Sequence, residues 1–233
     1  MRPWVDGWAR WSRLLLAPTC VLCGAPGADG RDLCAGCAAE LPHNRVACPR
    51  CALPLAAPAP ACAPCLRRAP PQAATLAALR YEGPVRLLLP RYKFGADLAI
   101  GRVLADLLLE AAACAPRPQV VAPVPLHPAR LRERGFDQAW ELARRTAAAL
   151  DLPARPDLLH RARATLAQTG LDAAARRRNL RDAFVVAGDV ARRHVALVDD
   201  VMTTGATIEA AARALRRAGA ARVDVWVVAR APK

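Results

Sequence analysis

The 233-residue chain is poor in several kinds of residue, and each shortage excludes a class of protein. No apolar run reaches the roughly 18 residues that a membrane-spanning helix requires, so we expect no transmembrane segment. The apolar run near the N-terminus is too short for a secretion signal, which predicts a cytoplasmic protein. Aromatic residues make up 4% of the chain, too few for a ladder that stacks successive nucleic-acid bases.

Acidic residues and lysine are scarce as well. The chain has 20 Asp and Glu against 34 Lys and Arg, a net charge of +14, and its only lysines are Lys93 and Lys233. This balance suits a polyanionic partner such as nucleic acid, a phosphorylated ligand or an anionic membrane surface. A coding bias towards Arg and Ala would give the same composition, so the charge alone identifies no partner.

Three of the five tryptophans lie in the N-terminal segment, residues 1–19. Trp4, Trp8, Trp11 and Leu15 are spaced to fall on one face of a helix. Such a face could rest on a membrane surface between arginines, or it could pack against the protein itself, which is the more common arrangement. We treat this Trp-rich segment as separate from the domains that follow.

Cysteine, in contrast, is abundant, and eight of the nine cysteines form four CxxC pairs that begin 14 residues apart. Because disulfides do not persist in a reducing cytoplasm, paired thiols at this spacing indicate metal ligands. Eight thiolates fill two tetrahedral zinc sites and leave no open position for catalysis, so the zinc is expected to be structural. A ferredoxin-type cluster or a redox motif would need a different arrangement. The predicted ligands are Cys20, Cys23, Cys34, Cys37, Cys48, Cys51, Cys62 and Cys65.

The uniform spacing leaves two pairing schemes open, sequential and cross-braced. The residues around the first CxxC resemble those around the third, and the second resembles the fourth, as a duplicated two-knuckle ribbon would give. We therefore favour one zinc held by the first two pairs and another held by the last two. Residues 20–70 are too few for a self-sufficient core, so the metals must stabilise this ribbon. The ninth cysteine, Cys114, is expected to be a buried thiol at the end of an apolar helix.

From residue 71 to the C-terminus, after a proline-rich linker, short apolar strands alternate with helices. This alternation predicts an α/β domain with a parallel sheet and helices on both faces. Ligands of such sheets bind beyond the carboxyl ends of the strands. Helices are expected over 97–113, over 137–150 with Asp137 as the cap, and over 208–218. Strands are expected over 75–83, 120–126, 183–188, 194–200 and 222–230.

The segment VALVDDVMTTGAT, residues 195–207, carries the clearest chemical signal. Its strand is expected to end at Val198 and to present Asp199 and Asp200 at the edge of the sheet. The following loop, ahead of a helix, offers backbone N–H groups to a phosphate, and carboxylates beside it suit sugar hydroxyls or hydrated Mg²⁺. A helix cap would explain one acid but not two, so the segment predicts a site for a phosphorylated ribose. The loop residues are Thr203, Thr204, Gly205, Ala206 and Thr207.

This segment resembles the ribose-5-phosphate loop of type I phosphoribosyltransferases, whose common ligand is phosphoribosyl pyrophosphate (PRPP). Residues 121–143 and 163–184 resemble consecutive blocks of the ComF family, in which a zinc ribbon precedes a phosphoribosyltransferase domain. The resemblance implies PRPP bound with Mg²⁺ and a catalytic role for Asp199 and Asp200. The family usually has Asn where this chain has Asp137, a change that keeps a helix cap but alters any amide contact to an anionic ligand.

The resemblance also assigns two further groups of residues. It implies a pyrophosphate loop formed by Val124, Pro125, Leu126, His127, Arg130 and Arg134. It implies a mobile lid that contains Gln168, Arg177 and Asn179.

The ComF family is associated with natural competence, so single-stranded DNA and competence or DNA-uptake proteins are the implied partners. Two functions stay open at this point. One is transfer of phosphoribose to an unknown acceptor; the other is a non-catalytic adaptor that binds PRPP or a nucleotide and docks on the uptake machinery or on single-stranded DNA through its zinc ribbons.

Overall fold

The computed structural model describes residues 17–161 and 183–232. In chain order its elements are α1 (Ala35–Glu40), α2 (Ala63–Arg67), β1 (Ala74–Arg80), α3 (Val85–Gly95), α4 (Leu98–Ala112), β2 (Val120–Pro123), α5 (Pro128–Arg134), α6 (Gln138–Ala149), β3 (Leu159–Arg161), β4 (Phe184–Val186), β5 (His194–Met202), α7 (Ala206–Arg217) and β6 (Arg222–Arg230).

Four of the strands form a parallel sheet in the order β1-β6-β5-β2. Helices α3, α4 and α6 cover one face, where Leu104 and Leu142 pack into the same core as Val198 and Trp226. Helix α7 covers the other face with a second core. Successive residues of a strand point to opposite faces, so both faces of β5 are apolar. The predicted parallel sheet with helices on both faces is confirmed.

Two of the predicted helices begin after aspartates that cap them, and of these only Asp137 was predicted as a cap. The side chain of Asp97 accepts a hydrogen bond from the backbone N–H of Ile100, and that of Asp137 accepts one from the N–H of Trp140. A carboxylate in this position satisfies an N–H that has no partner within the helix. The cap at Asp137 is therefore confirmed.

The cysteine-rich segment packs along the free edge of β1. The N–H of Asn44 donates to the carbonyl of Ala78 at 3.0 Å, and the N–H of Arg80 donates to the carbonyl of Pro42 at 2.8 Å. His43 thereby pairs antiparallel with Leu79. An open strand edge would offer unpaired backbone groups to other chains, so this segment protects it.

Some expectations about the elements are wrong. Strand β4 was expected in the main sheet, but it pairs antiparallel with β3 in a separate two-stranded sheet. Helices α3 and α5 were not predicted. Cys114 is exposed, because α4 ends at Ala112 and the cysteine lies in the turn beyond the packed face.

The expected end of β5 at Val198 is also wrong. The strand runs to Met202, because β6 remains paired with it as far as Arg230. On its other side β2 stops pairing at Val198. Asp199 and Asp200 therefore lie within β5, in the part that extends beyond β2.

Helix α7 begins at Ala206, so Ala206 and Thr207 belong to its first turn rather than to the preceding loop. Throughout residues 17–161 and 183–232, no helix combines the length and the apolar character needed to cross a membrane.

Candidate functional site

The predicted cysteine ligands converge in two groups of four, and within each group the sulfur atoms lie within 4.8 Å of one another. This arrangement confirms the sequential pairing over the cross-braced one. The first cluster contains Cys20, Cys23, Cys34 and Cys37, and the second contains Cys48, Cys51, Cys62 and Cys65.

The sulfur spacing fits zinc. The Sγ atoms of Cys23 and Cys34 are 3.7 Å apart, and those of Cys51 and Cys62 are 3.5 Å apart. A tetrahedron with Zn–S bonds of about 2.3 Å has edges of about 3.8 Å. Both clusters therefore have the size of a four-thiolate zinc site.

The electrostatics of the sulfurs agree with a bound cation. Burial raises the pKa of Cys20, but backbone N–H groups, those of Cys34 and Cys23 among them, outweigh it and lower the pKa to about 6. Hydrogen bonds to the sulfurs of Cys23 and Cys34 raise the pKa of Cys37, because they stabilise its protonated thiol. A divalent cation would replace these protons and keep all four thiols ionised.

The acid pair of β5 lies beside a single lysine. Asp200 is buried, and its Oδ2 is 2.8 Å from the Nζ of Lys93 on α3. Its Oδ1 accepts from the backbone N–H of Val201 at 2.7 Å. The Oδ1 of Asp199 accepts from the N–H of Asp200 at 2.9 Å. Both carboxylates are thus held by the strand itself.

Asp199 is the acid whose charge is less well compensated. Burial raises its pKa well above the usual range, the charge of Asp200 raises it further, and Lys93 only partly opposes them. The charge of Asp199 also acts on Arg161 of β3, where burial and the nearby Arg130 lower the pKa of the guanidinium. An additional cation or a group of hydroxyl donors next to Asp199 would stabilise its charged form.

The loop after β5 has the conformation expected of an anion site. Gly205 has φ +83°, and a Cβ there would lie 2.5 Å from the Cε of Met202, so the position requires glycine. Thr203 and Thr204 are exposed, and within the described part of the chain the backbone N–H groups of Thr203, Thr204 and Gly205 have no acceptor. These donors lie at the positive end of α7.

The loop after β2 runs beside the acid pair. The N–H of Val124 donates to the carbonyl of Val198 at 2.8 Å, which places residues 124–127 next to Asp199. His127 caps α5, where its Nδ1 accepts from the N–H of Ala129. Pro125 and Leu126 are partly buried between these two anchors.

The arginines of α5 have different surroundings. Arg130 is near Arg161, whose guanidinium is also affected by the charge of Asp199. The guanidinium of Arg134 lies over the ring of Phe94, 5.1 Å from its centre. The structure therefore places residues 124–127 next to Asp199 and Arg130 near Arg161, whereas Arg134 contacts α3. Gln168, Arg177 and Asn179 lie outside the described residues.

Sequence reasoning missed three cationic residues at this edge of the sheet: Lys93, Arg161 and Arg230. One signal for Lys93 was available, because an isolated lysine in a chain whose positive charges are otherwise nearly all arginines indicates a local requirement. Arg161 and Arg230 are the last residues of β3 and β6 and gave no such signal. Their positions depend on how the strands pair.

Two parts of the chain match known domain families. Residues 11–68 match the double zinc ribbon domain, and residues 139–233 match the phosphoribosyl transferase domain. The chain thus joins a double zinc ribbon to a phosphoribosyltransferase-type domain.

Two relatives match most of the chain. Competence protein F of Haemophilus influenzae is 37% identical over 176 residues, which cover 72% of this chain and 77% of that protein. DNA utilization protein YhgH of Escherichia coli O157:H7 is 35% identical over 217 residues, which cover 91% of this chain and 89% of that one. The chain belongs to the ComF family.

Among solved structures, glutamine phosphoribosylpyrophosphate (PRPP) amidotransferase from B. subtilis, complexed with ADP and GMP, is 25% identical with a TM-score of 0.39. The match covers 55% of this chain and 25% of that one.

Proposed function

We propose that this protein binds PRPP, together with Mg²⁺, at the carboxyl ends of β5 and β2. One observation carries the proposal: two adjacent carboxylates on β5 are followed directly by a glycine-containing loop whose backbone N–H groups have no acceptor within the described residues. Carboxylates recognise sugar hydroxyls, and loop amides at a helix N-terminus recognise phosphate. A ribose 5-phosphate carries both groups, hydroxyls on its ring and a phosphate on its 5′ carbon.

Each part of the ligand has a candidate partner. The 5′-phosphate is assigned to the loop Thr203–Gly205 and the first turn of α7, and the ribose hydroxyls to Asp199 and Asp200. The pyrophosphate is assigned to residues 124–127 and to Arg130. In the first turn of α7, Thr207 contributes an N–H group that an α-helix leaves unpaired, and the N–H of Ala206 donates to the Oγ1 of Thr204 at 3.4 Å.

The acid pair also fits Mg²⁺, which prefers oxygen ligands and in nucleotide sites is bound through one or two carboxylates and the substrate phosphates. Bound there, the ion would neutralise charge on the pyrophosphate. Asp200 is paired with Lys93, and its carboxylate oxygens can accept hydrogen bonds from hydroxyl groups.

The chemistry that such a site supports is displacement of pyrophosphate from carbon 1 of the ribose by a nucleophilic acceptor. The C1–O bond to pyrophosphate breaks as the bond to the acceptor forms, and negative charge accumulates on the leaving group. Arg130 and the amides of residues 124–127 would stabilise that charge. Positive character on the ribose would be stabilised by Asp199 and Asp200.

The biological setting is inferred from relatives. Proteins that cover most of this chain are named for competence and for DNA utilization. We infer that this chain acts in the uptake or use of DNA, inside the cell, with proteins of that machinery as partners.

Calorimetry with PRPP and Mg²⁺ tests the binding. We expect a saturable single-site isotherm for the wild type and a strongly weakened one for Asp199→Asn. Arg216→Lys, at the opposite end of the sheet, is the matched control and should bind as the wild type does. A wild type that gives no heat, or an Asp199→Asn variant that binds equally well, contradicts the proposal.

A second assay distinguishes a phosphoribosyltransferase from a non-catalytic adaptor. Purified protein is incubated with PRPP, Mg²⁺ and a panel of bases, amines and nucleic-acid ends, and pyrophosphate release is measured. Release that depends on one acceptor and is lost in Asp200→Asn identifies transfer. Binding without release for every acceptor favours the adaptor.

The adaptor reading has its own supporting observation, the net charge of +14. If arginines contact the phosphates of single-stranded DNA, affinity should fall steeply as salt rises, because bound counterions are released. A flat salt response would exclude this mode of binding.

A further inference from the structure

Arg230, the last residue of β6, connects the second cysteine cluster to the candidate phosphate loop. It is 2% exposed. Its Nε donates to the carbonyl of Cys51 at 2.9 Å, and its Nη1 donates to the carbonyl of Met202 at 3.0 Å and to that of Thr203. One guanidinium group therefore holds a zinc-ligand residue and the start of the loop at the same time.

The geometry of this link is rigid. A guanidinium group is planar, and its N–H donors point in fixed directions, so the two sets of carbonyls are held at a defined separation. Four thiolates and one Zn²⁺ carry a net charge of about −2, which the guanidinium partly offsets. Removing the metal would alter both the position of the Cys51 carbonyl and this balance of charge.

Apolar packing also joins the two regions, because Cys51 and Ala52 lie against the same core as Met202. Beyond these contacts a cavity of about 180 Å³ lies between them, and its lining includes Cys65 and Arg68 from the ribbon and Thr204 and Arg213 from the larger domain. The first cluster is attached elsewhere: the carbonyl of Val21 accepts from Arg91 of α3 at 2.9 Å. Of the two clusters, the second is the one whose backbone is hydrogen-bonded to the group that holds the phosphate loop.

We propose that Arg230 is a positioning residue that couples metal occupancy of the second cysteine cluster to the order of the loop Thr203–Gly205. The effect of zinc on the order of the loop is inferred from the contacts of Arg230 alone. The effect of a bound phosphate on zinc release rests on the proposed PRPP site. Coupling between two sites is reciprocal. Loss of the second zinc should therefore loosen the loop, and a phosphate bound by the loop should slow the release of the second zinc.

Amide hydrogen exchange of the full-length protein tests the coupling without any ligand. Cys65→Ser impairs the second cluster, and Cys37→Ser makes the same chemical change in the first. We expect exchange within residues 202–209 to be about tenfold faster in Cys65→Ser and unchanged in Cys37→Ser. Equal exchange of this segment in both variants and the wild type overturns the proposal.

A substitution of Arg230 itself tests the route. In Arg230→Lys a single ammonium cannot span both sets of carbonyls, so exchange within residues 202–209 should rise as in Cys65→Ser while both zinc ions remain bound. Arg216→Lys is the control, because Arg216 also donates to two backbone carbonyls, those of Ala220 and Ala221, at the other end of the sheet. An Arg230→Lys variant that keeps wild-type exchange overturns the role of Arg230.

The reciprocal effect is measured on the wild type, which also covers the case of an Arg230 variant that does not fold. Zinc transfer to a chromophoric chelator is followed with and without PRPP and Mg²⁺. We expect PRPP to slow the release of one of the two zinc ions about tenfold. If PRPP binds but both ions leave at unchanged rates, the coupling is wrong. If PRPP does not bind at all, the proposed function fails, and the exchange experiments still decide the coupling.

Discussion

The two ends of the central sheet hold buried carboxylates in different ways. At the amino end, Asp224 of β6 is 2% exposed, and its Oδ2 lies 2.9 Å from the Nε2 of His194. The Nε of Arg222 lies 3.0 Å from both of its oxygens. At the carboxyl end, two acids share the attraction of Lys93, and the pKa of Asp199 is raised.

This contrast distinguishes a structural carboxylate from one arranged for a ligand. Asp224 has its partners within the protein, so its burial is compensated in the folded state. A carboxylate without sufficient partners costs several kcal/mol when desolvated. The cost at Asp199 is consistent with a site that becomes fully compensated only when a cation and hydroxyl groups bind.

Removal of zinc is the change from which we expect the largest effect. It tests whether the stability of the sheet that carries both groups of carboxylates depends on the zinc ribbon. A strong chelator should unfold residues 20–70, because structural zinc contributes about 10–16 kcal/mol of binding energy to such small domains. The unfolding should be visible as a large fall in Tm and as lost exchange protection along β1. A chelated, zinc-free protein with unchanged Tm would show that the ribbon needs no metal.

Asp199→Asn should weaken PRPP binding about 30-fold, or about 2 kcal/mol, because a charged acceptor of sugar hydroxyls is lost. Asp224→Asn should leave the affinity unchanged. Calorimetry on both variants measures the difference. Equal loss of affinity in the two variants would mean that the two ends of the sheet do not differ in function.

Stability should respond in the opposite way. Asp224→Asn should lower the free energy of unfolding by about 2 kcal/mol, because His194 and Arg222 lose a charged partner. Denaturant titration measures this quantity. A loss at Asp199→Asn as large as that at Asp224→Asn would contradict the distinction between a structural and a ligand-binding acid.

The effect of Asp199→Asn on Tm should depend on pH, and this dependence further tests whether Asp199 is a poorly compensated carboxylate, unlike Asp224. Because folding raises the pKa of Asp199, its contribution to stability is present below the unfolded-state value of about 3.9 and is lost as pH rises through the folded-state pKa. At pH 8 the charged carboxylate therefore destabilises the fold, and Asp199→Asn should raise Tm by about 2 °C. The gain should vanish near pH 4 in a melting series, and a gain that persists there would contradict this cause.

The smallest effect is expected at Asp137. Burial raises the pKa of Asp137, and the charge of Asp200 raises it further, so this carboxylate lies near enough to the acid pair for the two charges to repel each other. Asparagine also caps helices, so Asp137→Asn should keep Tm while it increases PRPP affinity about threefold. Calorimetry and a melting curve on the same sample check both parts, and an unchanged or weaker affinity would contradict the electrostatic reason.

The features that could be predicted from the sequence depend on neighbours along the chain. Thiol spacing predicted both cysteine clusters, leucine spacing predicted the helix that follows Asp97, and the carboxylate of Asp137 predicted the start of another helix. The acid pair and the loop after it were predicted for the same reason. In each case the residues that determine the structure lie within one short segment.

The features that were missed depend on contacts between distant segments. The end of β5 is set by the length of β6, and the antiparallel partner of β4 is β3. Lys93 reaches Asp200 from a helix more than 100 positions earlier in the chain, and Arg230 contacts Cys51 across nearly the whole chain. Such pairings follow from the tertiary fold, which periodicity does not encode.

A crystal structure of the protein with PRPP and Mg²⁺ tests the central claim most directly. We predict that the 5′-phosphate contacts the backbone N–H groups of Thr203, Thr204 and Gly205 and that the ribose hydroxyls contact Asp199 and Asp200. Ligand density elsewhere on the molecule, with the loop empty and Asp200 still paired to Lys93, would contradict the account.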